Sequence, residues 1–168
     1  MAAAFHDRDG KIWFDGQMID WRSANIHVLT HALHYAGAVF EGERVYGGHV
    51  FKLREHTQRL LDSAKTMGYT IPYTLQQLED ATKDVIRTQK IVDGYVRPIA
   101  WRGSEMMGVA AQKNFIHVAI ATWEWPSYFD PEAKTKGIKL MMSKWKRPSP
   151  ETAPVHAKTS SLYAICTL

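Results

Sequence analysis

Apolar and polar positions change period several times along this chain, and each change marks an element. In "KIWFDGQMIDW" two short apolar runs flank Asp15-Gly16, a pair suited to the positive φ angles of a two-residue hairpin turn. "GERVYGGHVFKL" repeats that arrangement around Gly47-Gly48. Between the two hairpins, "NIHVLTHALHYAGAVFEG" is apolar and rich in small residues, and its pattern suits helix and strand equally.

The period then lengthens. "REHTQRLLDSAKTMG" places Leu60, Leu61, Ala64 and Met67 on one helical face, with Gly68 suited to the residue after the C-cap. "TLQQLEDATKDVIRTQK" opens with Thr74 and Gln77 at capping-box spacing. Its apolar face is Leu75, Leu78, Ala81, Val85 and Ile86, and Arg87 and Lys90 suit the negative end of the helix dipole. Beyond it the pattern shortens again. "GYVRPIAWRG", "NFIHVAIATWEW" and "GIKLMMSKWKR" predict strands, and Pro98 places the first at an edge or a bulge. "PSYFDPEAKTKG" is expected to be a linker, and "RPSPETAP" a loop leading to Lys158. No internal repeat or low-complexity segment interrupts the pattern. An α+β organisation follows, with a domain extending to about Tyr128 and the opening strand and loop of a second one after it.

Composition narrows the function classes. The chain has 168 residues, 45% of them hydrophobic, enough for a real core. Six tryptophans point to aromatic-lined surfaces or cavities. A formal charge of +4 is a mild bias that suits a phosphate- or carboxylate-bearing small molecule. No long Lys/Arg block and no aromatic-basic stripe supports nucleic-acid binding. The single Cys166 excludes an intramolecular disulfide and a one-chain thiolate cluster, which fits a reducing cytoplasm. The N-terminal residues lack the apolar run of a signal peptide, and no stretch is long enough to span a membrane.

The usual motifs of nucleotide-binding, P-loop, zincin and serine-hydrolase chemistry are missing. His27, His31 and His34 would share a face if helical, yet no other ligand type lies nearby, and no metal is expected. Arg59 lies between Gln58 and Leu60 on a helix, where it is either a surface ion-pair partner or an anion-binding fork. Arg97 shares a strand face with Tyr95 and is either an edge charge or a carboxylate contact. Lys158 stands among small and apolar residues. Burial there would lower its pKa and leave a nucleophilic amine, as Schiff-base chemistry needs, although an exposed loop lysine is the commoner fate. Spacing leaves both readings open.

Taken in order, "HALHYAGAVFEGERVY", "REHTQRLLDSAK", "GYVRPIAW", "GVAA", "SKWKRPSPETAP" and "AKTSSLYA" resemble the branched-chain amino-acid aminotransferases, of the fold-type IV pyridoxal-phosphate enzymes. The resemblance runs from about Lys11 to the last residue. It implies a small N-terminal α/β domain (1–128), an interdomain linker (129–136) and the first part of a larger C-terminal cofactor-binding domain (137–168). It implies pyridoxal 5'-phosphate, with Lys158 as the lysine bonded to it, Tyr163 on its phenolic oxygen and Arg59 on its phosphate. Phe40, Tyr95, Trp125 and Tyr128 match substrate-pocket residues, and Arg97 matches the arginine that helps recognise the dicarboxylate substrate. Tyr35 and Val109 match residues that reach in from the other subunit of a homodimer.

The implied reaction is transfer of the amino group of leucine, isoleucine or valine to 2-oxoglutarate. Within the fold the alternatives are a D-amino-acid aminotransferase and an aminodeoxychorismate lyase. Outside it, the alternative is a catalytically incomplete fragment that only binds. This chain departs from the family at Ala36-Gly37, where Gly and then Ser or Thr are usual, and at "TSSLY", where small residues, Gly and Asn precede the tyrosine. Family members also continue well beyond this length, so the chain is expected to be the N-terminal portion of such an enzyme.

Overall fold

The computed structural model describes residues 4–125 and 131–167. Its centre is an antiparallel sheet. β1 (Lys11–Phe14) and β2 (Gln17–Asp20) form the first hairpin, turning at Asp15 and Gly16 with φ of 47° and 92°. β4 (Glu43–Tyr46) and β5 (His49–Val50) form the second, turning at Gly47 and Gly48 with φ of 56° and 79°. Both turns follow from residues that tolerate a left-handed backbone.

The ambiguous segment between the hairpins divides. Only His31–Tyr35 is helical (α1), and Ala38–Phe40 becomes β3. The long strands β6 (Gly94–Arg102) and β7 (Ile116–Glu124) pair along their whole length. The path across the sheet is β2-β1-β7-β6-β4-β5, with β3 also beside β6.

Pro98 is therefore not on an edge strand. β6 is interior, with β7 on one flank and β3 and then β4 on the other. Pro98 is tolerated because it faces the break between β3 and β4, where its carbonyl accepts from Glu41 N at 2.9 Å. Its missing N–H points to the same side, so no bond to β7 is lost.

α2 (Leu53–Thr66) and α3 (Leu75–Thr88) cover one face of the sheet. Thr74 and Gln77 make the expected reciprocal capping box, and Gly68 follows the α2 C-cap with φ of 76°. The core lies between layers: Trp13, Val39, Val45, Val96, Ala100, Val118 and Ile120 from the sheet meet Leu60, Ala64, Leu78, Ala81 and Val85 from the helices. The alternate strand residues face the other way, where α1 and the loop before it lie beside them.

One expectation after residue 125 needs correction. Residues 137–147 form no strand, and Leu140, Met141 and Met142 are largely exposed. A strand exists only through pairing, and among the described residues no edge lies beside this segment. Within the stretch expected to be a linker, Pro131–Lys136 is a short helix, α4. The run after Lys158 forms two short 3-10 turns, Ser160–Leu162 and Ala164–Thr167. Among the described residues no helix is long and apolar enough to cross a membrane.

Candidate active site

The residues that follow the Pro-rich loop return to the sheet. Val39 and Thr159 form an antiparallel bridge, and Phe40 N donates to Lys158 O at 3.1 Å. Thr159 Oγ1 donates to Ala38 O at 2.9 Å and Ser160 Oγ to Ala36 O at 2.8 Å. Lys158 N donates to Ser63 Oγ on α2 at 2.9 Å. The backbone at Lys158 is thus fixed from both sides. Its side chain is half-buried, more open than its apolar sequence neighbours suggested.

Lys158 Nζ donates to Tyr163 Oη at 2.5 Å and lies 4.8 Å from the centre of the Phe40 ring. The Phe40 and Tyr163 rings meet edge to face at 4.8 Å. Phe40 also carries the Arg97 guanidinium, 4.7 Å from the ring centre. Arg97 Nη2 donates to Tyr95 Oη at 3.2 Å, and the Tyr95 ring packs against Trp125 at 5.1 Å. Lys158, Tyr163, Phe40, Arg97, Tyr95 and Trp125 therefore form one unbroken chain of contacts. Beside it, the other face of the sheet holds an apolar cavity of about 430 Å³, lined by Phe14, Ile99 and Trp101 and by Leu33 of α1, with Arg97 as its charged member.

Gly42 makes this packing possible. A Cβ there would lie 2.0 Å from Tyr95 Oη, so any larger residue would push Tyr95 out of place.

Arg59 joins the cluster through α2. It sits one turn before Ser63, so the helix that anchors Lys158 N also presents the guanidinium. Arg59 Nε and Nη2 donate to the two oxygens of Glu41 at 2.6 and 2.7 Å. Its side chain remains 51% exposed, and its pKa is raised by the hydrogen bond to Glu41, with the nearby Tyr163 among the smaller causes. Glu41 is fully buried and takes a further bond from His56 Nδ1 at 2.8 Å. Burial pushes the Glu41 pKa up, but the bonds and charges of Arg59 and His56 outweigh it and hold the group below its ordinary value.

The sequence reading missed Glu41, His56, Ser63 and also Glu43. The only available signal was "FEGER", an acid placed directly after Phe40, and the helical i, i+4 relation of Arg59 and Ser63.

Other expected residues lie elsewhere. Tyr35 (45% exposed) and Val109 (83% exposed) stand apart from the Lys158 cluster. They belong to one clamped arm, in which Tyr35 Oη donates to Met107 O and His31 Nε2 bonds Gly108 O. Tyr128 falls outside the described residues. The three histidines do not share a helical face. His27 lies in a loop and accepts from Leu29 N, while His31 and His34 each engage a backbone carbonyl. Among the described residues no group of His, Cys, Asp or Glu suits a metal ion.

The donor set fits a phosphorylated aldehyde. A half-buried primary amine, a phenol within hydrogen-bonding distance and a half-exposed guanidinium are the groups that could make the covalent, oxygen and phosphate contacts of such a molecule.

Comparison with known proteins supports this direction. The model of the family "Amino-transferase class IV" matches residues 38–168. A branched-chain-amino-acid aminotransferase of Pseudomonas aeruginosa is 42% identical over 161 residues, covering 94% of this chain and 52% of that protein. A crystal structure of the Escherichia coli branched-chain amino acid aminotransferase matches with a TM-score of 0.90 at 40% identity, covering 96% of this chain and 55% of that one. A branched-chain aminotransferase from the archaeon Thermoproteus uzoniensis, solved with norvaline, matches with a TM-score of 0.87 at 32% identity, over 95% of this chain and 54% of that one. Another solved branched-chain amino acid aminotransferase, 37% identical with a TM-score of 0.89, carries pyridoxamine 5'-phosphate. The chain spans about half the length of the curated relatives it matches.

Proposed function

The chain belongs to the class IV aminotransferase family, and from that premise we propose that it is the N-terminal part of a pyridoxal-phosphate-dependent transaminase of leucine, isoleucine and valine, with 2-oxoglutarate as amino acceptor. The observation that carries this reading is the contact chain from Lys158 through Phe40 to Arg97. It sets an amine beside an apolar wall and ends on a cation.

In this reading residues 1–128 form the small domain, 129–136 the linker and 137–168 the start of the cofactor-binding domain. The end of the sheet's last strand at Glu124 supports the first of these boundaries. The enzyme is expected to work as a homodimer, with the exposed Tyr35–Val109 arm reaching a second copy's site, and to reside in the cytoplasm.

Pyridoxal phosphate, when bound, supplies the electron sink that makes an amino acid's Cα proton acidic. This chain's residues do the rest. Lys158 would hold the cofactor through its amine and, as a free amine, would hold and move the proton at the substrate Cα. Tyr163 orients Lys158 Nζ and would meet the cofactor's phenolic oxygen. Arg59 would hold its phosphate. Phe40, Tyr95 and Trp125, with Tyr128, line an apolar pocket that excludes water and suits branched side chains. Arg97 takes the second carboxylate of glutamate, to which a guanidinium is matched bidentately.

Purified protein should show a near-visible absorbance band that borohydride bleaches and that Lys158→Ala loses. It should transaminate L-leucine, and not D-alanine, with 2-oxoglutarate. A colourless protein that ignores added pyridoxal phosphate overturns the proposal, and a preference for D-alanine reassigns the substrate class. Arg97→Ala is expected to raise KM for 2-oxoglutarate about tenfold or more, with a smaller effect on leucine, by loss of one charged contact.

A further inference from the structure

Arg59 does not stand alone. Behind it lie two carboxyl groups two residues apart, Glu41 (0% exposed) and Glu43 (1% exposed). Glu41 uses both oxygens on the Nε and Nη2 edge of the guanidinium. That leaves Nη1 as the edge without a hydrogen bond among the described residues. Neither oxygen of Glu43 has a hydrogen-bond partner there. Two buried carboxylates beside one guanidinium would leave an excess negative charge where an anion must dock. Burial first, and then the neighbouring Glu41 charge, push the Glu43 pKa up to about 8, with Arg59 opposing. The ionisable groups facing Glu43 are Glu41 from its own segment and Arg59 from α2. His56 on α2 acts on it through Glu41, and Tyr163 through Arg59.

Resting on the proposed cofactor reading, we propose that Glu41 and Glu43 are the positioning pair for Arg59: Glu41 as a carboxylate fixes the inner edge of the guanidinium so that Nη1 meets a phosphoryl oxygen, and Glu43 as the neutral acid keeps that pocket from repelling the phosphate. No bond is made or broken in this role. Glu43 must keep its proton for the phosphate to bind well, so phosphate affinity is linked to the Glu43 titration.

The probe is the ratio of affinities for pyridoxal 5'-phosphate and pyridoxal, measured by equilibrium binding on the full protein. The two ligands share the aldehyde and differ in the phosphate, so the ratio isolates the Arg59 end of the site. Arg59→Ala should abolish the preference for the phosphorylated ligand. Glu41→Gln should cut it about tenfold, because the aimed, charge-assisted contact is lost. An unchanged ratio in a Glu41→Gln protein of wild-type melting temperature overturns the assignment. If Arg59→Ala also leaves the ratio unchanged, the cofactor reading of this site falls with it.

A second measurement holds even if Glu41→Gln does not fold. The wild-type preference should decline severalfold between pH 7 and 9.5, while that of Glu43→Gln stays flat. A flat wild-type profile, or a Glu43→Gln profile that tracks the wild type, overturns the role of Glu43.

Discussion

Ala36 closes α1 with φ of 52°, in the left-handed region where a β-carbon is unfavourable. The sequence showed an Ala-Gly pair at this point but not which member turns. The structure gives the strained angle to Ala36 and an ordinary one to Gly37. The carbonyl of Ala36 also receives Ser160 Oγ, so the turn helps seat the Lys158 segment. Ala36→Gly should stabilise the protein by about 0.5–1 kcal/mol, read as a rise in thermal midpoint, because glycine removes the strain without removing a contact. Single residues whose chemistry is unusual for their surroundings, Lys158 and Arg59, were legible as candidates. Glu41 and Glu43 were not, because their importance comes from burial, which no local pattern of two acids announces.

α2 carries three duties on one helix. Leu60 and Ala64 enter the core, Arg59 faces Glu41, and Ser63 accepts the Lys158 amide. Ser63→Ala removes an acceptor costing about 1 kcal/mol but raises helix propensity, so global stability should hardly change. The amide of Lys158 should nevertheless exchange about fivefold faster, because the lost bond is local to the segment it anchors. Exchange at the wild-type rate would show that the β3 contacts alone fix the segment. Both long helices were legible to within a residue or two, since amphipathic period and caps are local. The strand expected at 137–147 failed for the opposite reason, and so did the edge alternative, of edge or bulge, at Pro98. A strand's partners lie far along the chain, and Pro98 is tolerated inside the sheet only because its neighbour breaks between β3 and β4.

For the whole molecule, the buried acids make stability depend on pH. Folded Glu43 keeps its proton up to about pH 8, while an unfolded glutamate releases it near 4.5. The folded state therefore binds more protons between those values, and stability falls as pH rises through that window, by up to about 5 kcal/mol. Glu41, whose pKa is lowered, works the other way: its contribution is present above the ordinary glutamate value and is lost as pH falls. Denaturation midpoints measured from pH 5 to 9 should decline for the wild type, and Glu43→Gln should remove most of that decline. A decline of equal size in Glu43→Gln would place the titration on another group.

The sequence by itself determined the hairpins at Asp15-Gly16 and Gly47-Gly48, the two amphipathic helices, the α+β class and, through ordered motifs, the family. These rest on turn chemistry, period and caps, all of which act over a few residues. Only the tertiary structure decided that Phe40 meets both Lys158 and Arg97, that Ser63 holds the Lys158 backbone and that Glu41 binds Arg59. Those contacts join residues far apart in the chain, and those of Lys158 come with the pairing of Thr159 to the free edge of β3.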